Sequence, residues 1–253
     1  MMETNLSLKE KCRLSQEKFN YKLDSDKPIL LHIDGRSFSK LIKNRFKKPF
    51  DDDFIYCMDN TAKFLCEEIQ GCKLAYVQSD EITLYLCKER PESEIFFGGR
   101  MNKIISISAA LATSKFNQLM SKFNGSDETL YQFDCKAWNV DNEDDVWRWF
   151  LFRNIDCIRN SKNQTASAYL SHRELLNKTA DEMIEMLKDR KGVDWNEFED
   201  EKKYGRIVRK IDCLDSIVNR KTGESSIVNR TKWIVEPGMN LTVPENRETL
   251  KKF

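Results

Sequence analysis

The sequence predicts an α+β fold. It consists of a split βαβ (ferredoxin-like) antiparallel sheet with helices packed on it, then a mainly helical C-terminal part carrying a β-hairpin. Three observations predict this. Residues 27–140 read strand, helix, strand, strand, helix, strand, the element order of that topology. The two helical stretches carry apolar residues three and four apart, and the strands are short apolar or alternating runs. From residue 143 onward, long amphipathic patterns give way to a repeated SIVNR, at 216–220 and 226–230, around the turn-forming KTGES.

The elements follow in order. KPILLHIDG (27–35) is a buried strand ending in an Asp-Gly turn. DDDFIYCMDNTAKFLCEEIQG (51–71) places Phe54, Met58, Ala62, Leu65 and Ile69 on one helical face; acidic residues start it and Gly71 follows it. KLAYVQ (73–78) and ITLYLC (82–87) are strands around a tight turn. A long helix fits from Phe97 to Phe123, its small-residue centre IISISAALA suited to close packing. YQFDCKAWNV (131–140) alternates as a strand. EDDVWRWFLFRNIDCIRNS is an aromatic-rich amphipathic helix. SHRELLNKTADEMIEMLK (171–188) reads as a single helix opened by a Ser171–Glu174 capping box. The chain divides into 1–142, a catalytic sheet region, and 143–253, a helical and hairpin region packed on it.

Composition bounds the function. With 253 residues, 40% hydrophobic and 11% aromatic, the chain can bury a substantial core. Only 9 Gly and 5 Pro argue against a long disordered linker. A net charge of +1 neither requires nor excludes a polyanionic partner. The 8 cysteines form no CxxC pair, and His32 and His172 are the only histidines, which argues against a zinc site. Scattered cysteines suit a reducing compartment. The N-terminal MMETNLSLKEKCRL lacks the apolar stretch of a signal peptide, and no apolar run approaches the ~20 residues of a membrane span. The expectation is a cytoplasmic protein without a membrane partner.

The chemistry centres on YVQSDEITLYL (76–86), where Asp80 and Glu81 sit at the bend between two strands. Two readings are open for such a pair: solvated turn residues, or carboxylates that await a cation. In the split βαβ arrangement the first and third strands are antiparallel neighbours. Asp34, which ends the first, then converges with Asp80 and Glu81, which begin the third. Carboxylates at close range raise each other's pKa unless a cation lies between them. Magnesium takes one or two carboxylates and completes its shell with phosphates and water. Strand alternation makes Asp80 the primary ligand and leaves Glu81 behind it or at a second metal. Asp134 is either a third acid or structural; with nothing in the sequence to place it near the metals, it reads as structural. The histidines read as core or surface residues.

HIDGRSF, KKPFDDDF, QSDE, FGGRMNK and FDCKAWN, in that order over roughly 25–215, resemble the motifs of the tRNA-His guanylyltransferase family. The resemblance implies a polymerase-palm-like domain that adds nucleotides to the 5′ end of tRNA in the 3′-to-5′ direction. It implies Asp34, Gly35 (through its carbonyl) and Asp80 as ligands of two Mg2+ ions, with Glu81 as their acidic neighbour. It implies nucleotide contacts from Arg36, Ser37, Phe38, Ser39, Lys48, Asp51 and Ser79, and triphosphate contacts from Arg100 and Lys103. It implies GTP, ATP or other NTPs as substrates, tRNA as partner and a homotetrameric assembly. The basic residues of the 36–48 stretch, Lys43, Arg45 and Lys47 among them, read either as RNA contacts or as a solvated charged loop. Arg206, Arg209 and Lys210 extend the expected polyanion-binding set.

The chain departs from the family pattern at two places. Ser39 stands where the family has a histidine, and Ile158-Arg159-Asn160-Ser161 stands where members that extend tRNA-His carry His-Ile-Asn-Asn. The segments RNS, SHRELLNK, EMLK and GVDWNEF resemble instead the bacterial-type branch, which implies templated repair of 5′-truncated tRNA. Three rivals remain at this level: G addition to tRNA-His, a palm-domain cyclase, and a non-catalytic RNA-binding protein with a degenerate site.

Overall fold

Six strands form a single antiparallel sheet in the order β4-β1-β3-β2-β5-β6. The computed structural model describes residues 6–38, 40, 45–123, 128–218, 223 and 225–253. The strands are β1 (Ile29–Gly35), β2 (Cys72–Gln78), β3 (Glu81–Leu86), β4 (Phe133–Asn139), β5 (Arg206–Val218) and β6 (Ser225–Pro237). The first four reproduce the split βαβ order, and β1 lies antiparallel between β3 and β4. The C-terminal hairpin β5–β6 joins the same sheet through β2. In that hairpin Ser216 faces Ile227 and Val218 faces Ser225; residues 219–222 and 224 of the repeat region lie outside the described residues.

Alternation along β1 divides the core in two. Ile29, Leu31 and Ile33 face one layer, where Met58 and Leu65 of α2 (Asp52–Glu68) and Ile104 and Phe116 of α3 (Met101–Met120) close over them. Leu30 joins Leu74, Tyr76 and Tyr85 on the opposite face, beneath Val146 and Phe150 of α4 (Glu143–Tyr169). A strand buried on both faces needs an almost continuous apolar run, and ILLHI supplies one. Helix α4 starts where the Asn142 side chain accepts from Asp145 N, with Glu143, Asp144 and Asp145 in its first turn. Its buried Asn154 donates to the Tyr204 and Met239 carbonyls and accepts from Leu241 N, which ties the C-terminal segments to the sheet.

Two helical expectations need correction. The predicted 97–123 helix begins only at Met101, because Phe97, Gly98 and Gly99 have φ of 52°, 57° and 77°. Gly99 O accepts from Leu23 N at 2.8 Å, and a Cβ on Gly99 would lie 2.6 Å from Leu23 O. The predicted 171–188 helix is two: α5 (His172–Leu175), with the expected Ser171–Glu174 box, and α6 (Ala180–Lys191), with a second box from Thr179 and Glu182. Asn177, at φ 62°, breaks the run between them. The exposed helix α1 (Leu8–Glu17) and the terminal α8 (Pro244–Leu250), beyond the short α7 (Asp200–Tyr204), had no counterpart in the sequence reading.

Candidate active site

The end of β1 gathers the carboxylates. Asp34 stands directly opposite Glu81 on β3 and Asp134 on β4. Opposed residues in an antiparallel sheet project to the same face, so the three acids form a row across it. Asp80 belongs to the turn between β2 and β3. Ser79 there has φ 44°, and its hydroxyl donates to Asp80 Oδ1 at 3.0 Å. Gly35 N donates to Asp80 O at 3.1 Å. A Cβ on Gly35 would lie 2.7 Å from Asp80 Oδ2 and 2.5 Å from Phe38 Cδ2, so glycine permits the two loops to touch.

Glu81 faces away from this contact, toward α4. It is ion-paired with Arg153, accepts from Gln78 Nε2 at 2.8 Å, and lies 3.8 Å from His32 Nε2. Burial holds His32 below its usual range, and its Nδ1 lies 3.0 Å from Thr83 Oγ1. Among the described residues, Asp34 and Asp80 have no such ion pair. Burial raises Asp34 above the usual carboxylate range, and the charges of Glu81 and Asp134 add to the rise. Burial likewise pushes Asp80 up to about 6, with Asp34 and Glu81 adding to it against its own hydrogen bonds. Among the described residues no group of three His, Cys, Asp or Glu side chains forms a self-contained metal cage. A pair of raised carboxylates beside the Gly35 backbone is nevertheless a hard-oxygen set that suits magnesium, which draws its remaining ligands from substrate and water.

The other expected nucleotide residues separate. Asp51 and Ser79 line one cavity, with Lys47, Phe46 and Phe54 on one side and Asn160, Ser161 and Arg206 on the other. Asp51 is also the N-cap of α2: Phe54 N donates to its Oδ1 at 2.9 Å and Lys47 N to its Oδ2 at 2.8 Å. Lys48 is exposed and is not among the residues that line this cavity, whereas Lys47 and Lys202 are. Arg100 and Lys103 border a different cleft of about 570 Å³, with Arg13 of α1. Arg36 donates to Gln132 Oε1 at 2.7 Å in an open groove beside Asp134, and Ser37 turns the chain there at φ 58°. Ser39 and Lys43 lie outside the described residues.

Three expectations are corrected by burial or pairing. The Phe38 ring is 1% exposed and packs on Phe54, Phe116, Tyr131 and Phe133, so it supports the loop from within the core rather than standing open at its surface. Arg206 is buried against Asp59, while Arg209 forms a two-point pair with Glu236 and Lys210 pairs with Glu89. Each of these cations has an acidic partner within the fold, and Arg206 is buried, so the three do not form an open basic stripe. Asp134, read as structural, lies beside Asp34. The signal was present: split βαβ order puts β4 next to β1, and antiparallel pairing sets the start of one against the end of the other. Arg153 was missed because nothing local marks a helical arginine as the partner of a strand glutamate.

Residues 10–141, just over half of the chain, match the family described as tRNAHis guanylyltransferase (Thg1). The chain belongs to this family. Family members are nucleotidyltransferases that act on tRNA, and so is this chain. It is 27% identical over 208 residues to the probable tRNA(His) guanylyltransferase of Dictyostelium discoideum, covering 77% of this chain and 79% of that protein. It resembles the structure of a bacterial tRNA(His) guanylyltransferase (Thg1)-like protein in complex with ATP, at TM-score 0.84 and 27% identity over 97% of this chain and 98% of that one. The corresponding complex with GTP matches at TM-score 0.76 and 26% identity, covering 98% of each chain. The tRNAHis guanylyltransferase fold thus spans both halves of the sequence, C-terminal hairpin included. None of the described helices is long and apolar enough to cross a membrane.

Proposed function

We propose that this chain is a cytoplasmic, magnesium-dependent 3′-to-5′ nucleotidyltransferase that repairs 5′-truncated tRNA. It adds ATP-, GTP- or other NTP-derived nucleotides complementary to the opposite strand of the acceptor stem. The observation that carries the reaction is the meeting of Asp34, Gly35 and Asp80 at one sheet edge, with Ser79 leading from Asp80 into a half-enclosed cavity. Residues 1–142 supply this centre, and 143–253 supply the second face and the far cavity wall. We take the assembly to be a homotetramer, with Leu214 and Ile227, exposed on the hairpin, as candidate contacts between copies.

Asp34 and Asp80, with the Gly35 carbonyl, would hold the metal. Magnesium bound there supplies activation of the attacking hydroxyl and neutralisation of phosphate charge. The protein does the positioning. Ser79 orients the Asp80 carboxylate, and Arg153 keeps Glu81 neutralised behind the row. Arg13, Arg100 and Lys103 border a separate cleft near the start of β1, away from Asp34, and the lysines that line the cavity beside Ser79 are Lys47 and Lys202.

A pH dependence follows. Asp34 and Asp80 are raised, so the folded protein binds their protons more tightly than the unfolded chain does. Their contribution to stability therefore grows as pH falls from about 6 toward the ordinary carboxylate range, and the ionised pair opposes folding above that window. A cation held by both carboxylates acts in the opposite sense. Magnesium should raise Tm more at about pH 7.5 than at about pH 5. Thermal melts with and without magnesium at the two values check it; equal increments would remove Asp80 from the ion.

Templated repair is favoured by Ile158. It packs toward the cluster of Leu175, Leu187 and Trp195, and its hydrocarbon offers no hydrogen bond where the family motif has histidine. The decisive assay compares kcat/KM on tRNA lacking its first nucleotide with that on full-length tRNA-His, with each NTP in turn. We expect the truncated substrates to be preferred across several tRNA species, with the complementary nucleotide incorporated. A preference for full-length tRNA-His, independent of the opposing base, would establish the second reading, G addition. That reading is favoured by the names of relatives such as the Dictyostelium protein.

A further inference from the structure

The cavity beside Ser79 has a polar floor that the family motifs leave unassigned. Gln78 and Arg206 are each 4% exposed, and both line it. Gln78 Oε1 and Arg206 Nη2 are buried and have no hydrogen-bond partner among the described residues. Leaving such groups unpaired is costly, and natural folds rarely do so without a reason.

Both groups are held from behind. Gln78 Nε2 donates to Glu81 Oε2, and Glu81 is in turn fixed by Arg153. An ionised carboxylate only accepts hydrogen bonds, so the amide nitrogen must face Glu81, which turns the carbonyl oxygen away from it on a residue of the cavity wall. Arg206 Nε donates to Asp59 Oδ1 at 2.7 Å, which fixes the plane of its guanidinium. Two residues of the cavity wall thus carry one oriented acceptor and one oriented donor, each without a partner among the described residues. Phe46, Phe50, Phe54 and Ile55 line it with apolar surface. A ligand that satisfies this floor is flat and carries a donor and an acceptor on one edge. Nucleobases have that pattern. In adenine the 6-amino group is the donor, with ring-nitrogen acceptors on either side.

We propose that Gln78 and Arg206 read the base edge of the nucleoside triphosphate, with Gln78 accepting from the base and Arg206 donating to it. The assignment rests on the proposed use of NTPs at this centre. Ser79, one residue beyond Gln78 and bonded to Asp80, would lead from the base toward the phosphates. Glu81 then acquires a role through Gln78: it sets which way the amide points.

The test is equilibrium binding by the full chain of three probes: ATP, purine riboside triphosphate (which lacks the 6-amino group) and ribose 5-triphosphate (which lacks the base). Binding of any of them by the wild type tests NTP use itself; the differences among them test the inference. Wild type should bind ATP about tenfold more tightly than purine riboside triphosphate. In Gln78→Met that gap should close, with ribose 5-triphosphate binding unchanged. Arg206→Lys, which retains a charge for Asp59, should weaken ATP and purine riboside triphosphate alike and spare the baseless probe. Three results would overturn the proposal. One is a gap that persists in Gln78→Met, and another is equal loss of all three probes. The third is normal NTP binding with defective use of tRNA, which would assign the cavity to an RNA base. A thermal melt of each variant accompanies the titrations, and Gln78→Met carries the test if Arg206→Lys does not fold.

Discussion

Asp34→Ala and Asp80→Ala are each expected to abolish nucleotide addition while leaving the fold intact. Asp80 lies against Gly35, the residue after Asp34, and among the described residues no basic side chain is ion-paired with either carboxylate, so a cation is the partner that would offset the cost of ionising both. Loss of either ligand should forfeit most of the metal's contribution, several kcal/mol, or on the order of a thousandfold or more in kcat/KM. The isosteric Asp80→Asn sharpens the expectation. It keeps the shape and removes a charge that burial disfavours, so without metal at pH 7 or above its Tm should equal or exceed that of wild type while activity is lost. Single-turnover assays on 5′-truncated tRNA, paired with thermal melts, measure both. Near-normal turnover by a well-folded variant at either position would sink the two-aspartate centre.

What the sequence disclosed and what it hid divide along physical lines. Split βαβ order is a matter of periodicity and connection, and both are local; the convergence of Asp34 with Asp80 and Glu81 follows from it, and the structure sets Asp34 opposite Glu81. Helix boundaries depended on individual backbone angles, so the left-handed Phe97 and Asn177 shortened one predicted helix and split another. Side-chain fate was least legible. The Phe38 that follows HIDGRS looks like part of a ligand loop, yet it fills the core between four other aromatic rings. Arg206, Arg209 and Lys210 look like a basic stripe, yet each is paired with an acid from another element. Local sequence reports that a charge exists; only the fold reports whether it is already neutralised. Gln78 illustrates the converse. It resembles an ordinary strand residue, yet its amide nitrogen is anchored to Glu81 and its carbonyl oxygen is buried without a partner among the described residues.

Removing the guanidinium of Arg153 should cause the largest loss of stability of any single substitution near the site. Arg153 is buried beneath the sheet and pairs with both Glu81 and Asp156. Such a pair adds little net stability when whole, because desolvation offsets most of its attraction. Arg153→Met breaks it one-sidedly, leaving Glu81 to face the row of Asp34 and Asp134 without compensation. The expected cost is about 3–5 kcal/mol, which in a chain of this size lowers Tm by roughly 10 °C. Glu81→Gln alone should cost less, since Arg153 keeps Asp156. The double variant should recover part of the loss, because the stranded carboxylate is gone, and that positive coupling distinguishes the ion pair from a packing effect. Urea denaturation of the three proteins measures it, and a single-variant cost below about 1 kcal/mol would mean that Glu81 is adequately solvated. Glu81 would then be available to a metal rather than committed to α4. Arg153→Met thus decides between the two roles that the Ser-Asp-Glu motif leaves open for its glutamate.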